Sequence, residues 1–458
     1  MVFLLLLSVF GFSQNTFVPD DNFEQALIDL GFDSGPLDDF VPTANISNVT
    51  DLDVGAKNIS DLTGIEDFLA LEILNCENNL LTSLDVTNNI NLTQLFCEFN
   101  NIDNIDVSSL VNLQIFWCYN NQLLSLDVSN NINLISLVCA NNLLKSLDVT
   151  NNSALVVLAF EDNEISNINV SNNPSINRLQ CGKNKLTSLD ISQNLNLSYL
   201  SCERNEITAL DTSNNSDLST LICYFNLLSD LDLSKNGALV VVDCSNNLLC
   251  RLNLKNGNNK FTVADFKLNN FLSCVIVDNP SSVPTNWDPS NYQNYVSSED
   301  QCVNTVDIDL LPDFIGTSYT LPYLSNGNYF TESGANGTML NPCDIINTSQ
   351  TIYIYNENTC DSNESSFNVI ITEEGYYIPK YFTPNNDGNH DLWLVKDFNN
   401  NIQKIEVFDR YGKFIKYLQP DIGWNGTFNG KPMESNDYWY VITFVTGETL
   451  RGHFTLKR

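Results

Sequence analysis

Histidine is almost missing: the 458-residue chain has two, His390 and His453, both near its C-terminal end. Neither lies within residues 1–302, so a Ser-His-Asp site built there is excluded. No G-x-S-x-G, H-E-x-x-H or phosphate-loop pattern occurs. The expectation is a protein that is not an enzyme and needs no cofactor or metal. Positive charge is scarce as well. Lys plus Arg number 21 against 55 acidic residues, a net charge of −34. Nucleic-acid binders carry basic patches, so no nucleic-acid partner is expected. Long apolar runs are missing too. The one candidate, MVFLLLLSVFGFSQ at residues 1–14, is too short to span a bilayer. It reads as the apolar core of a secretory signal peptide. It lacks the usual basic leader, which leaves the true start codon open. No transmembrane segment is expected elsewhere.

What the chain does have is a repeat. Cysteine stands at Cys76, Cys97, Cys118, Cys139, Cys181, Cys202, Cys223 and Cys244, 21 residues apart, with Phe160 in the one skipped slot. Asparagine follows three residues after each of these nine positions, from Asn79 to Asn247. Apolar residues fall at −5, −2, +5 and +8 from the Cys slot, as in LISLVCANNLLKSLDVTNN. Leu-Val-Cys alternates inward and outward, the mark of a short strand. The pattern resembles the leucine-rich repeat, with Cys in the third Leu position. That resemblance covers about 200 residues and implies a parallel solenoid with a strand ladder on one face.

Each column then has a physical reading. Buried Cys behaves as a small hydrophobe, and Phe160 suits a core column better than a metal column. The Asn column lies where the chain turns off the strand and can bond backbone groups left unpaired there. A third column, Asp85, Asp106, Asp127, Asp148, Asp190, Asp211 and Asp232, has Asn169 and Asn253 in its remaining slots. Ser, Thr or Lys255 follows two residues later, which predicts Asx-turns. A calcium-binding column is the alternative.

Six segments are expected: a signal peptide at 1–14, an N-terminal helical cap at 15–51, the solenoid at 52–279, a C-terminal cap at 280–302, a small Ig-like β-sandwich at 303–375 and a terminal domain at 376–458. In the first cap, Asp21 and Glu24 suggest a capping box, and Phe23, Ala26, Leu27 and Leu30 share a face. Gly55 is expected in the Cys slot of a degenerate first coil, and FLSCVIVDN is expected to close the ladder. Two disulfides are expected in an exported chain, Cys274–Cys302 and Cys343–Cys360, with Cys250 left as an odd thiol.

The terminal stretch is electrostatically different. From Tyr376 onward there are 10 basic and 9 acidic residues, and everything before carries a net of −35. Its blocks YIPKYFTPNNDGNHDLWLV, IQKIEVFDRYGKFI, GWNGTFNGKPMESNDYWYVITF and LRGHFTLKR resemble the gliding-motility-associated C-terminal domain, the type B sorting domain of the type IX secretion system of Bacteroidota. The resemblance implies a β-sandwich read by the export machinery. Its motif residues here are Pro384, Asn386, Asp387, Gly388, Asp409, Arg410, Tyr411, Gly412, Gly423, Trp424, Gly426, Tyr438, Trp439, Lys457 and Arg458. It also implies a secreted or outer-surface location, reached through the periplasm.

Binding is expected on the outward ladder positions. They supply Phe96, Phe99, Trp117 and Tyr119 in neighbouring coils, then Tyr199, Tyr224 and Phe225. Large exposed apolar groups mark interaction sites. Glu77, Glu98, Glu161 and Glu203 beside them suit a ligand with basic character. The reading is adhesion or binding to a protein or glycan; a structural surface or matrix protein without a ligand is the alternative, its rings tiling the face.

Overall fold

The computed structural model describes residues 14–257, 261, 263–302, 306–358, 360–388 and 390–458. All but the last residue of the expected signal segment lies outside them. The chain divides into two compact units, Met1–Val303 and Asn304–Arg458.

The first unit is the solenoid. Each coil contributes a three-residue strand just before its Cys slot, as in Ser136–Val138. Leu137 and Cys139 point inward and are fully buried, while Val138 between them faces out and is half-buried. Eleven such strands, from Asp51–Asp53 to Val263–Asp265, form one parallel sheet. Leu95 pairs with Phe116 and Phe116 with Leu137, so the register advances by one repeat per coil. Equivalent side chains therefore stack into columns, and one apolar core runs from Val18 to Trp287. Burying each large aliphatic there stabilises by about 1.5–3 kcal/mol.

The corner after the strand has a fixed shape. At +2 from the Cys slot the backbone is left-handed in coil after coil, from φ +50° at Lys183 to +57° at Leu268. Asn, which tolerates this region, fills the corner at 78, 120, 141 and 246. The next residue is the Asn column. The Asn142 carboxamide accepts the Leu123 N–H at 3.0 Å and donates to the carbonyls of Cys118 (3.0 Å) and Cys139 (3.2 Å). One side chain thus ties its own coil to the one before. A second buried Asn column, absent from the sequence reading, lies at +13. Asn152 donates to the carbonyls of Val128 and Asn131, each at 2.9 Å.

The ends depart from the expected register. Leu52 pairs with Leu74, which places Val54 rather than Gly55 in the first Cys slot. Strand pairing sets this register, and the extra residue is absorbed in the following turn. At the far end Phe266 holds the slot, but Cys274–Ile276 does not extend the main ladder. It joins a separate four-stranded sheet with Asp230–Asp232, Arg251–Asn253 and Tyr295–Val296. The helix Asp21–Asp29 covers the first coil, with Phe23 stacked on Phe68 at 6.4 Å. Its cap is Asp20, one residue earlier than expected, which accepts the Asn22 and Phe23 N–H groups. Glu24 is buried and accepts the Asp38 and Asp39 N–H groups instead of closing a capping box. Leu30 is 46 % exposed because the helix ends before it. Trp287, packed edge-on against Phe261 at 5.6 Å, covers the last coil. The Cys274–Cys302 disulfide forms with its Cα atoms 5.6 Å apart.

The second unit contains two β assemblies. In the first, a five-stranded sheet and the pair Tyr319–Thr320/Ile345–Ile346 enclose Leu321, Tyr329, Ile346, Ile352, Ile354, Phe367 and Val369. The expected Cys343–Cys360 bridge is absent. Cys343 is a free, exposed thiol, and Cys360 is disulfide-bonded without it. Cys343 sits in the turn before Ile345–Ile346, its N–H held by Leu321 O, whereas Cys360 sits in the connection between Gln350–Glu357 and Ser362–Ile371 of the five-stranded sheet. Cys250 is not a spare thiol either; it too is disulfide-bonded. In the second assembly, Asn436–Phe444 is central to a five-stranded sheet with Thr449–Leu456 and Ile402–Phe408 on its two sides. No helix among the described residues is long and apolar enough to cross a membrane.

Candidate binding face and export signal

The outward side of the ladder carries the expected rings in two groups. In the coils of Cys97 and Cys118, the Phe96 and Trp117 rings meet edge to face at 5.2 Å. Phe99 and Tyr119 do the same at 5.2 Å. Strand stacking brings −1 residues of adjacent coils together, which explains the first pair. The Trp117 indole N–H is held by Ser136 Oγ at 3.1 Å. The second group begins at Tyr199, four coils beyond Trp117, and continues to Tyr224 and Phe225 in the fifth, roughly 19–24 Å along the ladder. There Tyr224 and Phe225 are 5.9 Å apart, and the Arg204 guanidinium lies over Phe225 at 4.7 Å. Tyr199 is covered by the Arg178 guanidinium at 3.8 Å.

Two of these rings occupy awkward backbone. Phe99 and Phe225 stand at the left-handed corner, at φ +53° and +52°, and both are 45 % exposed. A bulky residue at positive φ is a genuine outlier. Lys183, Arg204 and Leu268 share this corner, so its handedness, set by the repeat and not by residue type, needed the structure.

The acidic neighbours fall into two kinds. Glu161 accepts a hydrogen bond from Gln180 at 2.7 Å, and Glu203 accepts one from Ser201. Gly182 makes room for this arrangement: a Cβ there would lie 2.3 Å from the Glu203 carboxylate. Glu98 differs in being almost fully buried; like Glu161, it keeps one oxygen without a hydrogen-bond partner. Burial, and then the adjacent Glu77 carboxyl, pushes Glu98 up to about 7.

The Asp column forms the expected Asx-turns. Asp127 accepts the Ser129 N–H at 2.9 Å, and Asn169 accepts the Ser171 N–H at 3.0 Å. The Ser129 hydrogen bonds hold the Asp127 carboxyl below its usual range. The ladder thiols are all buried, and burial pushes Cys139 up to about 12.

In the terminal assembly the motif residues divide between folding and surface. Trp424 and Tyr438 are buried, with rings 5.4 Å apart, alongside Trp393 and Phe454. Asp409 accepts the Tyr411 and Lys413 N–H groups at 2.9 Å each, and Gly412 closes that hairpin at φ +76°. Asn386 and Gly388 shape a turn held by the Asp391 carboxylate. A Cβ on Gly426 would lie 2.4 Å from Leu456. Arg458 donates to the Met433 and Gly426 carbonyls. By contrast, Tyr411 is 81 % and Trp439 42 % exposed, with the Arg410 guanidinium 5.0 Å from the Tyr411 ring. Pro384 and Gly423 are part-buried; Asp387 and Lys457 are exposed.

Residues 376–456 match the CHU_C type IX secretion signal domain. The chain therefore carries an export signal for the cell surface or beyond, and the secretion machinery is a partner. The match stops at Leu456, before Lys457 and Arg458. Among curated proteins none matches the sequence. Of solved structures, the functional domain of InlJ from Listeria monocytogenes, which includes a cysteine ladder, is similar at 24% identity and a TM-score of 0.49, over 78% of this chain and 99% of that one. The internalin InlF of L. monocytogenes is similar at 20% identity and 0.39, over 57% and 95%. A leucine-rich repeat protein of Leptospira interrogans is similar at 20% and 0.43, over 53% and 64%.

Proposed function

We propose that this is a non-enzymatic binding protein, exported by its terminal domain, whose ladder face engages another protein at the cell exterior. The observation that carries the reading is the placement of Phe99 and Phe225. Each is a half-exposed aromatic ring at the left-handed corner, a position that Asn takes in four coils and Lys183, Arg204 and Leu268 take in others. The corner itself belongs to the repeat, so what marks these two positions is the large exposed ring, and exposed large apolar groups mark interaction sites. Aromatic residues are also enriched at the centres of interfaces. A second reading, a structural surface protein whose rings tile the face, draws on the Phe96–Trp117 and Phe99–Tyr119 pairs. The two readings separate in one experiment. The full chain and its Phe96→Ala/Trp117→Ala variant are immobilised and exposed to extracts of host or community cells. A binding face captures a defined protein that the folded variant loses. Equal capture by both would refute it.

A further inference from the structure

Between Lys57 and Lys145 the chain contains no Lys, Arg or His at all, but ten acidic residues. That stretch includes the coils carrying Phe96, Phe99, Trp117 and Tyr119. Elsewhere on the ladder the chain supplies its own cations and donors. Arg178 lies on Tyr199 and donates to Gln180, which donates to Glu161; Arg204 lies over Phe225. Glu98 occupies the same +1 slot as Glu161, and each keeps one oxygen without a hydrogen-bond partner, but the neighbour of Glu98 is the like-charged Glu77 rather than a Gln or Arg. Glu98 is 2 % exposed. Glu77 stands in that slot one coil before and Tyr119 one coil after. The Phe96–Trp117 pair flanks this column on the −1 side, and Phe99 stands on the +2 side with its ring against Tyr119.

We propose that this cluster receives an arginine side chain of the partner, its guanidinium set on the Glu77–Glu98 carboxyls between the two ring pairs. The inference rests on the ladder face being the binding surface. Guanidinium suits the place on two counts. It forms forked hydrogen bonds to carboxylates, and it stacks on aromatic faces. The second behaviour is already present on this ladder at Arg178 and Arg204. A cation would also supply the charge that the buried carboxyl lacks. The titratable groups around Glu98 are Glu77, Tyr119 and the thiols of Cys76, Cys97 and Cys118. None is cationic, and the thiols and Tyr119 are pushed upward. Binding should therefore weaken as pH falls through 7, where Glu98 takes up a proton.

The test titrates the full chain with a capped Gly-Arg-Gly peptide at physiological salt. The Trp117 indole N–H is followed by NMR, its signal assigned with Trp117→Phe. The expected result is a saturable shift, at least about tenfold weaker in Glu98→Gln and at pH 5.5, and unchanged in Glu203→Gln. Glu77→Gln gives a second reading of the site should Glu98→Gln misfold. A Gly-Gln-Gly peptide giving the same shift, or Glu98→Gln titrating like the natural protein, would overturn the proposal. If partner capture still depends on Phe96 and Trp117 while the arginine peptide fails, this inference falls and the binding face stands. If capture by the natural protein is also independent of those rings, both fall.

Discussion

Replacing Phe99 by Asn separates a folding role from a binding role. The native backbone there is left-handed at φ +53°. For an ordinary L-residue that conformation costs about 1–2 kcal/mol, and Asn escapes much of it through local hydrogen bonds. Relief of about 1 kcal/mol is therefore expected. Against it stands the lost edge-to-face contact with Tyr119 at 5.2 Å, worth about 0.5–1.5 kcal/mol. The two nearly cancel, so Phe99→Asn should change stability by less than about 0.5 kcal/mol. A core phenylalanine behaves otherwise. Phe116, fully buried one coil on, should cost about 3–5 kcal/mol as Phe116→Ala. Urea unfolding of the full chain, followed by circular dichroism, measures both. Binding to the captured partner should fall by about 2 kcal/mol or more, near thirtyfold, if Phe99 is an anchor. A loss of more than about 2 kcal/mol in folding, with binding intact, would refute the reasoning and favour rings that merely tile the face.

Two further outcomes follow from the columns. Asn142→Ala strips the acceptor from the Leu123 N–H and the donor from the Cys118 and Cys139 carbonyls. A buried orphan N–H alone costs about 1–3 kcal/mol, so a loss near 3 kcal/mol is expected in urea unfolding, and a loss under 0.5 would contradict the tie between coils. Thiol labelling of the native chain should modify Cys343 alone, because the eight ladder thiols are buried. Nine should react in denaturant, and rapid native reaction of any ladder cysteine would count against a closed core.

Much of this was legible in the sequence because a repeat reports the same contact many times over. The spacing of Cys97, Cys118 and Cys139 set the period, and the Asn and Asp columns followed with their bonding roles. Single, unrepeated features were less legible. Val54 displaced Gly55 from the first Cys slot because strand pairing, not composition, decides register at an end. The Cys343–Cys360 pairing rested on proximity in sequence, while the fold places Cys343 in a turn beside the two-stranded pair and Cys360 in a connection of the five-stranded sheet. The left-handed corner was hidden because Asn holds it in only four coils, while Phe, Lys, Arg, Asp, Ala and Leu hold it in the rest. Glu98 stood in the sequence beside three similar glutamates, and only its burial sets it apart.

The account rests most on export by the terminal domain, and one measurement addresses it directly. The chain lacking residues 377–458 is expressed in a cell with type IX secretion, and its amount outside the outer membrane is compared with that of the full chain. The solenoid has its own core and caps at both ends, so the truncated protein should fold and accumulate in the periplasm. The account predicts that almost none reaches the cell surface or the medium. Delivery of the truncated chain at the normal level would contradict it.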